Sequence, residues 1–172
     1  MPAQRIEASA PRNWLAVACA THVARGLVGG FMQVCHGKCA PLKRMSAGDR
    51  VVYYSPGQEM GGPANLRAFT ALGQVLPVDP YQVDMSDLHP GFHPYRRDVR
   101  WASQGRQVAI QSLRGQLELT ATPGWGAKLR FGLLQISAAD MDCIAAALAV
   151  GALPPVEPMP AAQGVQGVLW AA

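Results

Sequence analysis

Charge is sparse in this chain: Asp, Glu, Lys and Arg together make up 15% of its 172 residues, and only 11 residues are acidic. That is thin for a nuclease that gathers carboxylates around metal ions. Aromatic residues are few, at 7%. No apolar run approaches the roughly 20 residues that cross a bilayer as a helix. No apolar core follows Arg5 in "MPAQRIEASAPRNW", so no signal peptide is expected and the expected location is cytoplasmic. In that compartment the 4 cysteines stay reduced, which excludes a disulfide framework. No G-x-S-x-G nucleophile elbow, Walker-type phosphate loop or G-x-G-x-x-G fingerprint is present. Asp84, Asp87 and His89 are the nearest approach to an acid–base group, on a segment that reads as a loop. An enzyme is therefore the least supported class.

Hydrophobic residues reach 49%, enough for a folded domain with its own core. The net charge is +4, a mild excess, but it is concentrated. Arg96, Arg97 and Arg100 fall within five residues, and Lys128 and Arg130 lie two apart. A local basic face is a better sign of an anionic partner than overall charge; the alternative is a solvated surface.

"NWLAVACA" reads as a buried strand, and Thr21 as the N-cap of a short helix ending at Gly29-Gly30. "RVVYYS", "LRAFTALGQVL", "YRRDVRWA" and "KLRFGLLQI" read as further strands. Ser137, with Asp140 three residues on, opens a helix that should end near Gly151. The expected organisation is a loose leader over 1–11, a domain over 12–150 and a Pro/Ala/Gly-rich tail over 151–172, with Trp170 as a docking point. The expected fold is α+β around a small, curved, barrel-like sheet. The sequence carries no signal for oligomeric state.

Cys19 and His22, followed by Cys35, His36 and Cys39, resemble paired zinc knuckles. The spacing is poor, because Cys35 and His36 are adjacent and Cys19 ends a strand. No metal and no cofactor are expected.

Four stretches in order, "GGFMQVCHGK", "RMSAGDRVVYYSP", "PYRRDV" and "LRFGL", resemble the EVE domain family. The match is to its UPF0310-type branch, within the PUA-like superfamily. The resemblance covers roughly residues 12–150. It implies a pseudobarrel of five to six mixed strands flanked by short helices, similar to YTH domains. It also implies a nucleic-acid-binding module that reads a modified base in DNA or RNA, with no catalytic residues. The alternative is a sensor of a small molecule or nucleotide that uses the same pocket without a polynucleotide. Salt separates the two, since only a polynucleotide releases many counterions on binding.

A base reader needs a slot, edge-reading groups and cations for flanking phosphates. For the slot the resemblance points to Phe31, and the first strand supplies Trp14, which is either slot wall or core. Tyr53 and Tyr54 alternate, so one faces in and one out; Ser55 follows at the strand end. Gln33 and His36 offer edge donors and acceptors, and Tyr95 follows Pro94 where such domains bring an aromatic group to the pocket. Lys38, Arg96, Arg97, Lys128 and Arg130 are the phosphate candidates; Arg96 and Arg97 are neighbours on a strand and cannot both point in. Better-known family members carry a "KSEP"-like stretch and an "NYQARN"-like loop. Here those places read "ACATH" and "FMQVCHGK".

Overall fold

The structure, a computed structural model, describes residues 10–103, 105–151, 153 and 156. Residues 1–9 of the leader, most of the tail and Trp170 lie outside the described residues. The elements in chain order are β1 Asn13–Val17, α1 Ala20–Gly29, β2 Phe31–Met32, α2 Cys39–Lys43, β3 Arg50–Ser55 and β4 Ala68–Val75. They continue with β5 Tyr81–Gln82, β6 Tyr95–Trp101, β7 Val108–Ala109, α3 Ile110–Leu113, β8 Leu133–Ile136 and α4 Ala138–Leu148. Short 3-10 segments cover Cys35–Gly37, Glu118–Thr120 and Trp125–Phe131.

The strands form one mixed, open, barrel-like sheet in the order β2-β6-β4-β3-β1-β8, with β5 on β6 and β7 on β4. Among the described residues there are eight strands where five to six were expected, because three are two-residue pairs too short to show a period. Only β1 and β3 run parallel, and both are covered on each face, as parallel pairs usually are. The period of two assigns the faces. Trp14, Ala16, Val51 and Tyr53 pack with Val23, Met32, Leu42, Met45 and Val99 on one side. Leu15, Val52, Tyr54 and Phe69 pack with Met141, Ile144 and Leu148 of α4 on the other.

Ser137 caps α4 as expected, its hydroxyl accepting from the Asp140 N–H at 3.1 Å. The helix closes at Leu148, before Gly151, with Ala149 in a left-handed conformation. Thr21 is not a cap. α1 begins one residue earlier, and its first free N–H groups bond instead to the carbonyls of Gly57 and Gln58 (3.1 and 3.0 Å). The β3–β4 loop is thereby fastened onto the start of α1, with Thr21 also donating to Glu59. Of "KLRFGLLQI", only Leu133–Ile136 is strand; the residues before it coil into a 3-10 segment.

Candidate nucleic-acid interface

Where β1 ends, backbone bonds still tie it to both neighbours. The Val17 N–H bonds to Gly132 before β8 (2.9 Å) and the Ala18 N–H bonds to Tyr54 at the end of β3 (3.2 Å). Above that point lies a cavity of about 940 Å³. Four segments wall it: residues 17–25, residues 33–38, the β3–β4 loop from Pro56 to Ala64, and the loop around Met85–Phe92. The segment 129–132 closes it. Residues of "ACATH" and of "FMQVCHGK" thus line one cavity, joined by the contact of His22 with the Gln33 carbonyl. Its volume suits a base or nucleotide.

The polar groups of the wall are tightly arranged around Gln33, which is 7% exposed. The Gln33 N–H donates to the Tyr53 hydroxyl (3.2 Å), and that hydroxyl donates to the Gln33 carbonyl (3.0 Å). The same carbonyl is 3.2 Å from His22 Nε2. A carbonyl can only accept, so Nε2 carries the proton. Burial, with Arg25 and Arg96 close by, lowers the His22 pKa against a raising effect of the carbonyl. The ring is therefore neutral at pH 7, and its Nδ1 is an acceptor. The Gln33 side chain accepts from Arg96 Nε at 3.3 Å. Arg96 Cζ lies over Phe31, 3.8 Å from the ring centroid, and Nη2 is 3.3 Å from Met85 Sδ.

Cys35, His36 and Gly37 have φ of 51, 56 and 77°, a left-handed turn. Two consecutive non-glycine residues in that region cost about 1–2 kcal/mol each. The turn is held by the Gly37 N–H on the Val34 carbonyl (2.9 Å) and by the Cys35 thiol on the Phe131 carbonyl (3.4 Å). Strain of this kind collects at ligand sites. Burial pushes the Cys35 thiol pKa up, partly offset by Lys38 and Arg44, so it stays protonated and keeps that bond.

Arg25, Lys38 and Arg130 stand exposed on the cavity wall, against one carboxylate, Glu59. Three large apolar side chains, Met60, Leu88 and Phe131, also line it while 75%, 57% and 72% exposed. Apolar groups left in water at the mouth of a polar-floored cavity are the kind of surface a ligand covers.

Of the candidates from sequence, Gln33, His36, Lys38 and Arg130 line this cavity. The structure does not bring the others into it. Trp14 is 1% exposed, its Nε1 donates to Asp49 at 2.8 Å, and Arg12 and Arg44 cover its ring, so it is core. Phe31 is 8% exposed and lies beneath Arg96. Tyr53 is fully buried and stacked on Trp101 (5.5 Å), supporting Gln33 from behind. Tyr54 packs edge-on to Phe69 on the opposite side of the sheet. Ser55 is spent on Thr70 (2.8 Å). Tyr95 is half-buried against the Trp14 side of the core. Arg97 is buried, its Nη1 donating to the Leu42 and Met45 carbonyls (both 3.0 Å) at the end of α2. Lys128 is exposed outside the cavity lining. Asp84 bonds Ser86 and pairs with His93 at 3.5 Å, both exposed. Among the described residues no cluster of three or more His, Cys, Asp or Glu is placed to hold a metal ion.

Sequence reasoning missed His22, Arg25, Met60, Leu88 and Phe131. The signal for Phe131 was present, since the Gly132 that follows it interrupts a strand reading and leaves the aromatic just outside β8. The loop residues Met60 and Leu88 carry no local pattern.

Residues 12–147 match the sequence model described as "EVE domain". A UPF0310 protein from Mesorhizobium japonicum is 48% identical over 138 residues, covering 78% of this chain and 90% of that protein. Another, from Streptococcus sanguinis, is 41% identical over 129 residues, covering 73% and 85%. Among solved structures, the YTH domain of Zygosaccharomyces rouxii MRB1, in complex with N6-methyladenosine RNA, superposes with a TM-score of 0.53. That match covers 86% of this chain and 93% of the other at 14% identity, a likeness of fold.

Proposed function

The chain belongs to the EVE domain family, and we propose that it is a nucleic-acid-binding module that takes a single, unstacked, modified base of DNA or RNA into the cavity around Gln33. One observation carries this reading: edge-reading groups, exposed apolar walls and cations converge on one cavity. Gln33 and His22 supply hydrogen-bonding groups held in fixed orientation. Phe131, Met60 and Leu88 supply apolar cover for a base face. Arg25, Lys38 and Arg130 supply charge for the flanking phosphates. The YTH neighbour, which is described with a methylated-adenosine RNA, shares the fold and lends support to the same use of it. The reading is one of binding rather than turnover.

The test is affinity for matched short oligonucleotides, as DNA and as RNA: plain, 5-methylcytosine, 5-hydroxymethylcytosine and N6-methyladenine. One modification should bind at least tenfold more tightly than its plain counterpart, a difference of about 1.4 kcal/mol. Phe131→Ala should erase that preference, since stacking on one base is worth about 1–3 kcal/mol. Equal affinity for every member would reduce the reading to a general nucleic-acid surface. Binding of free nucleotides alone would favour the small-ligand sensor.

A further inference from the structure

Arg96 sits in a basic run, yet its guanidinium is turned inward. Its Cζ sits over the Phe31 ring, 3.8 Å from the centroid, and its Nε donates to Gln33 Oε1 at 3.3 Å. Gly29 allows this platform, because a Cβ there would meet the Phe31 ring at 2.4 Å. A guanidinium nitrogen can only donate, so the Gln33 amide oxygen must face Arg96. That orientation leaves the amide N–H groups for a ligand. On the same wall, the bond from His22 Nε2 to the Gln33 carbonyl leaves Nδ1 as an acceptor.

We propose that Arg96 is a positioning residue that fixes Gln33 as a hydrogen-bond donor, so that the cavity selects bases whose edge presents a ring acceptor beside an amino group over their keto counterparts. This rests on the base-reading assignment above and deepens it. The edge in question belongs to cytosine and adenine. Uracil and hypoxanthine have the same outline but reverse the pattern, with a protonated ring nitrogen beside a carbonyl. A donor facing that ring N–H, and an acceptor facing that carbonyl, are both left unpaired, which is the strong form of rejection. The proposal gives Arg96 a role different from the phosphate contact that its place in a basic run suggests.

The experiment uses the full chain and two matched pairs, cytosine against uracil and adenine against hypoxanthine. Each is presented in a short single-stranded oligonucleotide and as the free nucleoside, over a range of salt. The wild type should favour the amino member of at least one pair by tenfold or more. Arg96→Lys and Arg96→Met should both bring that ratio to within about threefold of unity, and both should leave the salt dependence of oligonucleotide binding unchanged. Gln33→Glu, which offers only acceptors, should invert the ratio or abolish it. Circular dichroism and thermal midpoints establish that each variant is folded. The proposal is overturned if Arg96→Met lowers the salt slope by about 0.7, the value for one phosphate on a single strand, while the ratio stands. Equal wild-type affinity for amino and keto members also overturns it, even where a modified base is preferred, so the base-reading assignment then survives alone. An amino preference seen only with free nucleosides keeps the role of Arg96 and removes the polynucleotide. Binding of none of these probes overturns the proposal, and the base-reading assignment falls with it where the modified oligonucleotides also fail to bind.

Discussion

Gln33 is held at its backbone nitrogen, its carbonyl and its side-chain oxygen by three residues from three different elements. Such a residue is expensive to disturb from behind. Tyr53→Phe removes a hydroxyl that is fully buried and strands the Gln33 N–H. The expected loss is about 1–3 kcal/mol, read as a shift of the urea midpoint at constant m-value. Binding should weaken as well, although Tyr53 is out of reach of a ligand. His22 adds a pH dependence of known sign. Burial lowers its pKa in the folded chain below the ordinary 6.5, so below that pH the unfolded chain takes up more protons than the folded one. Stability from this group is complete above pH 6.5 and is lost as pH falls toward the lower, folded value. Ring NMR titration gives that value, and His22→Gln should flatten the fall in urea midpoint. Base binding should fall over the same range, because protonation removes the Nδ1 acceptor and places a cation near Arg25 and Arg96.

The elements that carry the site differ in how openly the sequence announces them. β1, β3, β4 and β6 were legible because β-branched and aromatic residues alternate, and the period of two is a property of the strand itself. The same alternation shows why Arg96 and Arg97 part company, one toward Gln33 and the other into the carbonyls ending α2. "GGFMQVCHGK" was legible as a site segment through its family resemblance, while its conformation was not. Nothing in Cys35-His36 marks two non-glycine residues for a left-handed turn, because the contacts that impose it come from Phe131 and Pro94, far along the chain. Trp14 misled for a related reason: an aromatic on a first strand looks the same in sequence whether Asp49 or a ligand meets its indole N–H. The turn yields its own prediction. Gly37 has φ of +77°, and a Cβ there would come 2.3 Å from Pro94 Cβ. Gly37→Ala should therefore cost about 1–3 kcal/mol and loosen the entry to β6, whereas His36→Gly should change stability by less than about 1 kcal/mol. Thermal unfolding of the two variants side by side makes the comparison.

At the scale of the whole molecule, positive charge is divided between two jobs, and only one of them faces outward. Arg97 is structural: it is 6% exposed and its Nη1 satisfies two carbonyls where α2 ends. Arg25, Lys38 and Arg130 are exposed and share the cavity wall. The run at Arg96 and Arg97 therefore does not map onto the basic face of the fold, although Arg130 does, and the net charge of +4 understates the local field. A chain that seats one base and touches its flanking phosphates with three cations should show log K falling with log salt at a slope near −2 for a single strand, about −0.7 for each phosphate. Lys38→Ala or Arg130→Ala should each reduce that slope by about 0.7 and leave the unfolding midpoint within experimental scatter, since neither side chain is buried. Arg97→Met should do the reverse. It takes a donor from the Leu42 and Met45 carbonyls, of which Leu42 keeps the Met45 N–H, and should cost about 1–3 kcal/mol of stability, with the slope of the remaining folded protein unchanged. Fluorescence anisotropy across a salt series, paired with urea unfolding of the same variants, separates the two sets. If Arg97→Met lowered the slope while Lys38→Ala and Arg130→Ala did not, the polynucleotide would have to run along the α2 face and not across the cavity mouth.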